Sequence, residues 1–132
     1  MSDYTIVNLE EVENMAPEFG MPAGMDARFP RWVLGCAEGA GAVAVERLGP
    51  GVRVPFGHHH AEQEGIYVVA EGSGRIKLDD EVREVRQWDI LRVGPATMRN
   101  WEAGPDGLTV VAFGAPIGDT AEPDIVQGWW SD

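Results

Sequence analysis

From residue 40 onward, Gly and Pro residues divide the sequence into short segments that have the composition of β-strands. Turn signals recur roughly every ten residues, and several of the segments between them alternate apolar and polar residues. This pattern is typical of an all-β sandwich or barrel, since no segment has helical periodicity beyond a short helix. The segments are AVAVERL, VRVPFGHHH, GIYVVAE, RIKL, DILRV and LTVVAFG, and the turns between them are GPG at 49–51, GSG at 72–74, a hairpin turn at Asp79 and Asp80, GP at 94–95 and GPDG at 104–107.

Residues 1–39 have a different composition and form the predicted arm of a single domain. The segment TIVNLEEVENMAPEFG begins like a strand and becomes acidic, and Asn8 can cap a short helix with Glu11 at its third position. The segment GMPAGMDARFPRW has the composition of a loop. We expect the arm to pack on the barrel at 40–132 or on a partner chain, or to be a partly ordered lead-in. The two tryptophans of the C-terminal tail are expected to fold back on the barrel or to close a dimer contact.

The composition limits the partners and compartments that suit this chain. Its 132 residues are 44% hydrophobic, which is enough for one globular domain with a buried core. The net charge of -12 disfavours nucleic acids and anionic membranes as partners, because both carry negative charge. The single cysteine, Cys36, excludes an internal disulfide, and no segment has the apolar length that crosses a membrane. We therefore expect a cytoplasmic protein that binds neither nucleic acid nor membrane.

All three histidines of the chain are adjacent, at positions 58–60, just before an apolar segment. On a strand, His58 and His60 point to one face and His59 to the other. Glu62 and Glu64 follow closely, so two imidazoles and a carboxylate can converge on one point. Two histidines and one carboxylate are a common ligand set for divalent first-row metals, which makes this segment a candidate metal site.

This arrangement resembles the first motif of the cupins, in which a Gly, a His-x-His pair, a Glu and a second Gly follow one another at set spacings. The matching residues here are Gly51, His58, His60 and Gly72. The segment WDILRVGPATMRNWEA resembles the second cupin motif, with its Asp and Pro at positions 89 and 95. The resemblance covers residues 40 to 115 and implies a jelly-roll β-barrel that is usually a homodimer. It also implies a divalent metal such as Fe, Mn, Ni, Cu or Zn.

The chain departs from the cupin motifs at the metal ligands. Counting back from Gly72 puts the Glu ligand at Gly65, whereas counting forward from His60 puts it at Glu64. Neighbouring strand residues face opposite sides, so only one register can direct Glu64 into the barrel. The resemblance places the second-motif His at Arg99, which stays protonated and cannot bind a metal. The predicted ligand set is therefore His58, His60 and Glu64.

Three further residues are candidates for the pocket. Arg99 can pair with a carboxylate such as Glu64, or can bind a carboxylate or phosphate of a ligand through two hydrogen bonds. Tyr67 lies two residues after Gly65, so that it either directs its hydroxyl into the cavity or packs in the core. Trp101 shares the face of Arg99 and can line the pocket, pack in the core or lie at an interface.

These observations lead to a small-molecule pocket inside the barrel as the expected functional site. In the first version, a divalent metal on His58, His60 and Glu64 acts on an oxygen-bearing substrate, and the cupin resemblance implies a dioxygenase, isomerase or decarboxylase. In the second version, a metal-free binding or sensing module holds an anionic ligand through Arg99. A structural or interaction protein is the third reading. A serine triad is excluded, since the three serines lie at 2, 73 and 131, and no Gly-rich phosphate loop leads into a helix.

Overall fold

A computed structural model describes residues 2–36, 42–60, 63–114 and 123–132, with the side chains of residues 32 and 42 left undescribed. Most of the described chain is β-strand, as the sequence predicts. None of the helices in these ranges is long and apolar enough to cross a membrane. The elements are a 3-10 helix at Leu9–Glu11, β1 at Met25–Arg28, α1 at Arg31–Leu34, β2 at Ala42–Leu48, β3 at Phe56–His59, β4 at Gly65–Leu78, β5 at Glu81–Arg86, β6 at Ile90–Val93, β7 at Arg99–Gly114 and β8 at Asp124–Gln127.

The strands form one sheet that rolls into a jelly-roll barrel around the two long strands β4 and β7, and every strand pair is antiparallel. In one half of the sheet the order is β1-β2-β7-β4-β6, built on residues 65–69 of β4 and 108–114 of β7. In the other half the order is β5-β4-β7-β3-β8, built on residues 73–78 of β4 and the first residues of β7. Because β4 and β7 belong to both halves, each has to bend in its middle.

The bends coincide with two of the predicted turns, which corrects the expectation for GSG and GPDG. Neither segment reverses the chain: GSG lies inside β4 and GPDG lies inside β7. Register shifts between Val69 and Glu71 and between Gly72 and Gly74 mark the bend of β4. Gly72 has φ +75°, and a Cβ at this position would overlap the carbonyl oxygen of Gly107. Glycine is therefore required because the two bent strands approach each other here through their backbones.

The predicted turn at Asp79 and Asp80 is confirmed, since these residues connect β4 to β5 as a hairpin. Asp79 adopts φ 52°, a conformation that Asp tolerates better than most residues. In the next connection Trp88 has φ 73°, although its bulk makes this backbone conformation unfavourable. In the second cupin motif, which this segment resembles, a glycine usually precedes the Asp, and Trp88 stands at that position here.

The predicted arm contains more regular structure than the sequence indicates. Asn8 does cap a short helix, and its side chain accepts a hydrogen bond from the Glu10 amide at 2.9 Å. The segment that resembles a loop contains β1, which pairs along its whole length with β2. The side chain of Arg28 donates to the carbonyl oxygens of Leu9 and Val12, each at 3.0 Å, and so joins the first helix to the sheet. The predicted boundary at residues 39 and 40 lies outside the described residues.

The C-terminal tail packs on the barrel. Strand β8 pairs with β3. The guanidinium groups of Arg53 and Arg75 lie over the ring of the buried Trp130, 4.2 and 5.1 Å from its centre. The ring of Trp129 lies over Gly57, where a Cβ would come within 2.6 Å of it. Of the two alternatives for the tryptophans, the structure therefore shows the tail folded back on its own barrel.

The core fills the inside of the barrel between the two halves of the sheet. Its members alternate along the strands with outward-facing residues, as expected for a barrel that buries one face. The buried side chains include Ala27, Leu48, Val54, Val69, Ile76, Val85, Val93, Trp101, Leu108 and Val110. The polar groups described next share this inner face, at the end of the barrel where β3 meets β7.

Candidate functional site

The histidine strand faces the start of β7, because His58 is the register partner of Arg99. The rings of His58 and His60 meet edge to face, with their centres 5.2 Å apart. Phe56, which packs against the core, is on the same face of β3, so these two imidazoles point into the barrel. His59 lies on the opposite face, with its Nε2 3.6 Å from Asp124. The strand therefore separates the histidines as the alternation predicts.

Arg99 is completely buried, and its guanidinium joins the β6–β7 loop to β4. Nη2 donates to the carbonyl oxygens of Gly94 at 2.7 Å, Thr97 at 2.8 Å and Pro95 at 3.2 Å, and Nε donates to Thr97 at 3.1 Å. Nη1 donates to the hydroxyl oxygen of Tyr67 at 3.1 Å. No carboxylate is among these partners, and one Nη1–H remains for a further acceptor, because a guanidinium carries five N–H donors.

The two motif spacings place the Glu ligand at residue 65 or at residue 64, and in the structure it is Gly65 that faces the barrel interior. Gly65 is buried, and a Cβ there would lie 3.0 Å from Nη1 of Arg99 and 3.1 Å from the ring of Tyr67. Glu64 consequently faces the other side of the strand, where its carboxylate pairs with Arg92 at 2.8 Å. Both members of this ion pair are well exposed, so Glu64 does not converge with the histidines. Glu62, the other nearby carboxylate, lies outside the described residues.

The residues of the site do not fit the divalent metal that the cupin resemblance implies. Among the described residues, no three His, Cys, Asp or Glu side chains come together in a group that could hold a metal ion. His58 and His60 provide two imidazoles, glycine occupies the position of the carboxylate ligand, and a permanent cation occupies that of the remaining histidine. Arg99 would repel a bound cation, so the donor set does not suit a tightly held metal.

Burial and the neighbouring cation keep both inward histidines neutral. Burial, together with the smaller effect of the positive charge of Arg99, lowers the pKa of His58 to about 3. Burial, followed by the charge of Arg99, also lowers the pKa of the less enclosed His60. Burial raises the pKa of the Tyr67 hydroxyl, although the charge and hydrogen bond of Arg99 act against this change. At neutral pH the site therefore contains two neutral imidazoles, a phenol and one guanidinium.

Trp101 supports the site and does not line it as a free surface. Its ring packs edge to face on Tyr67, with the ring centres 5.5 Å apart, and only 4% of the residue is exposed. The neighbouring inner positions are small, since Ala112 is the register partner of both Tyr67 and Ala44.

Glu46, which is not among the site residues predicted from the sequence, also points into the barrel. Its register partners are Ala27 on β1 and Val110 on β7, both fully buried on the inner face. Burial raises the pKa of its carboxyl, and its negative charge raises the pKa of Tyr67. The signal in the sequence is ambiguous: in AVAVERL, Glu46 alternates with alanines and Leu48, and Arg47 alternates with valines. Either set can be the inner one.

Two open surface grooves of the described structure lie elsewhere. They measure about 550 and 610 Å³ and lie on the outside at the bends of β4 and β7. Arg86, Asp89 and Ser73 line both of them. The inward-facing polar groups described above line neither groove, so we base the functional argument on those groups and not on groove size.

Comparison with known proteins identifies the fold. No protein-family model matches the chain, and a search of curated proteins finds no match. A cupin protein from Bacteroides fragilis is similar in structure, with a TM-score of 0.71, 23% identity and 92% of each chain covered. A Streptomyces nucleoside dehydratase, also solved with uridine, has a TM-score of 0.69 and 19% identity over 96% of this chain and 92% of its own. Oxalate decarboxylase of Bacillus subtilis has a TM-score of 0.68 and 19% identity over 88% of this chain and 31% of its own. The chain therefore has the cupin fold.

Proposed function

We propose that the inner end of this barrel is a metal-independent enzyme site that binds a small oxygen-bearing molecule and removes a proton from it. The observation that carries this proposal is the pair of neutral imidazoles, His58 and His60, held next to the buried guanidinium of Arg99. Ionisable groups with strongly shifted pKa values are typical of functional sites, because ordinary packing does not require them.

Arg99 and Tyr67 supply the groups that would bind a substrate oxygen. The remaining Nη1–H of Arg99, beside Gly65, is the donor that a ligand atom would have to reach. A carbonyl oxygen in this position would receive a charge-assisted hydrogen bond. Removal of a proton from the adjacent carbon moves negative charge onto this oxygen, and a pre-positioned guanidinium stabilises that charge.

His60 is the better placed base of the pair. His60 is less enclosed than His58. Its pKa is also lowered, but less than the pKa of His58. Protonation of an imidazole beside Arg99 is unfavourable in the free protein because two positive charges become neighbours. When the substrate oxygen gains negative charge in the same step, that charge offsets the repulsion. The two imidazoles therefore accept a proton readily only when a substrate is bound.

The structural neighbours support small oxygen-bearing substrates as a class. One of them is a nucleoside dehydratase and another is an oxalate decarboxylase. Proton removal next to a carbonyl is the first step of many isomerases and of many lyases that eliminate water. We place this chain among such enzymes, with His60 as the base and Arg99 as the group that binds oxygen.

The second candidate is a metal-free module that binds an anionic ligand without reaction, and it would use the same remaining donor of Arg99. Arg99 is fully buried and directs four of its five N–H groups into the protein, so it can offer only one hydrogen bond. A clamp that grips a carboxylate needs two parallel donors. The enzyme proposal therefore agrees better with the geometry than tight anion binding does.

We further propose that two copies of the chain pair through the outer apolar face of the first half-sheet. An antiparallel sheet normally has a polar outer face, yet Ile66, Ile90 and Phe113 are 42%, 70% and 43% exposed here. The apolar patch itself carries no charged side chain, and the charges beside it on this half-sheet are paired, as Asp26 with Arg28 and Glu64 with Arg92, so two copies of a chain with net charge -12 can approach there with little repulsion. The face consists of Val43, Val45, Ile66, Val68, Ile90, Val111 and Phe113.

The test of the proposed activity is hydrogen–deuterium exchange at carbon. A panel of small aldehydes, ketones and sugars would be incubated with the untagged, metal-free protein in D₂O, and loss of the C–H signal next to the carbonyl would be followed by proton NMR. We expect exchange of at least one compound by the wild type, and a loss on the order of 10²–10⁴-fold in His60→Gln. The matched control is His59→Gln, which changes the outward histidine and should leave the rate unchanged.

Two results would refute the proposed activity. One is equal exchange by the His60 and His59 variants, because the inward imidazole would then have no role. The other is exchange that requires an added divalent metal, because the site would then work through a cation that its residues do not fit.

A further inference from the structure

The inner face of β3 continues across the sheet onto β8. His58 is the register partner of Arg99 on β7 and of Ile125 on β8, so the three residues stand in one row on the same face. Register partners on one face of an antiparallel pair have Cβ atoms about 5 Å apart. Ile125 therefore lies beside His58, on the side away from Arg99.

Ile125 is an apolar side chain of this face that remains open to solvent. β8 is the last strand of its half of the sheet, and 52% of Ile125 is exposed. Phe56 lies on the same face of β3, and its ring centre is 6.4 Å from that of His58. The acidic residue of β8, Asp124, faces the other side, where it pairs with His59. The surface that borders His58 towards β8 is thus apolar and carries no acidic group from that strand.

The proposed site is therefore polar at one end and apolar at the other. Arg99 and Tyr67 provide hydrogen bonds on the side of β7 and β4, and Ile125 provides an apolar contact on the side of β8. The backbones of β7 and β8 are two strand spacings apart, roughly 10 Å, so a small molecule can extend from one end to the other. An alkyl group that covers Ile125 is stabilised by leaving water, whereas a hydroxyl group there finds no partner in Ile125.

We infer that Ile125 determines the specificity of the site, and that its substrates are carbonyl compounds with a short alkyl chain, in preference to sugars. This inference rests on the proposed function, because it names the substrate class of the same site. The carbonyl oxygen binds to Arg99, the C–H bond next to it faces His60, and the alkyl chain lies against Ile125. The next inner-face residue of β8 is the polar Gln127, the register partner of Phe56, so the apolar surface of β8 is one side chain long and suits a short chain.

The activity test compares substrates of increasing chain length. The methyl ketones from acetone to hexanone would be incubated with the protein in D₂O, and kcat/KM for proton exchange at carbon would be measured for each. Full burial of one CH₂ corresponds to about fourfold in kcat/KM, and Ile125 covers a chain from one side only, so we expect an increase on the order of twofold per CH₂ in the wild type. In Ile125→Ala we expect this increase to be lost through KM, with acetone exchanged as fast as by the wild type.

Val126→Ala is the matched control, because it weakens the same strand without touching the site. Val126 is 42% exposed and faces the outer side of the sheet as the register partner of Gly57. If alanine loosens β8, Ile125→Thr keeps a β-branched side chain that suits a strand and still removes the apolar end. The same dependence on chain length in the wild type and both Ile125 variants would overturn the inference, and so would faster exchange of sugars than of any methyl ketone.

A binding measurement separates the inference from the proposed activity. The methyl signals of labelled isoleucines would be followed by NMR during a titration with hexanone, and the signal absent from Ile125→Ala identifies Ile125. We expect this signal to shift and to saturate, whereas Ile90, 70% exposed on the outer face, keeps its position. An Ile125 signal that does not move would overturn the inference. A saturable shift in a wild type that exchanges no compound would support the contact at Ile125 and count against the proposed activity.

Discussion

Replacement of Arg99 by methionine tests whether the guanidinium holds the site together. The change keeps much of the side-chain length and removes every donor that reaches Gly94, Pro95, Thr97 and Tyr67. A buried acceptor left without a donor costs about 1–3 kcal/mol. The Tyr67 hydroxyl and at least one loop carbonyl lose their partners, while the partly exposed carbonyls can recruit water. We therefore expect a loss of about 3–5 kcal/mol in the free energy of unfolding.

Arg99→Lys provides the graded comparison, because an ammonium group can still donate to the loop carbonyls but cannot also reach Tyr67. We expect this variant to lose about half as much stability, and both variants would be measured by urea denaturation. Removal of the charge should also raise the pKa of His60, which proton–nitrogen NMR of the imidazoles would report. If Arg99→Met changes the unfolding free energy by less than about 1 kcal/mol and leaves the histidine titration unchanged, the guanidinium is not the support that we describe.

Three further predictions follow from single residues. Because the pKa of His58 is about 3 in the fold and about 6.5 in the unfolded chain, the unfolded state binds the extra proton below pH 6.5, and stability falls by about 1.4 kcal/mol per pH unit in that window; His58→Gln should reduce this slope to the part that His60 contributes, and His59→Gln should keep it, as measured by urea denaturation from pH 7 to 4. Because Trp88 has φ 73°, Trp88→Gly should be about 1 kcal/mol more stable than Trp88→Ala. At the exposed strand residue Glu84, the alanine variant should instead be the more stable one. Equal stabilities of the two Trp88 variants would contradict the backbone argument. Phe113→Lys places a charge in the outer apolar face and should convert a dimer into a monomer in analytical ultracentrifugation, and a wild type that is already monomeric would refute this interface.

Local patterns in the sequence are enough to predict the strands that turn residues bound on both sides. Strand β2 coincides with AVAVERL, and the hairpin at Asp79 and Asp80 lies where it is expected. The bends of β4 and β7 are different, because Gly72 and Gly107 lie where these two paired strands approach each other through their backbones. A local pattern shows that glycine is present but does not distinguish a chain reversal from a close approach of two strands. Strand β5 is charged on most positions, so no apolar alternation predicts it.

The candidate site shows the same division between local and tertiary information. Alternation predicts correctly that His58 and His60 share a face, since both lie on one continuous segment. The orientation of Glu64 depends on the register of β4, and the structure directs it outward to Arg92. The inward orientation of Glu46 is not predicted, because the inner and outer faces of β2 are both mainly apolar in the sequence. In each case the missing information is which face of a strand the rest of the barrel covers.

Elemental analysis of the untagged protein tests the central claim most directly, namely that the inward histidines work next to a permanent cation and without a metal. The protein would be analysed for Fe, Mn, Ni, Cu and Zn after purification, and again after incubation with each metal followed by dialysis. We predict far less than one metal ion per chain in every sample, together with unchanged proton exchange at carbon after treatment with a chelator. One tightly held ion per chain that His58→Gln removes would contradict the account, because His58 and His60 would then be metal ligands despite Arg99.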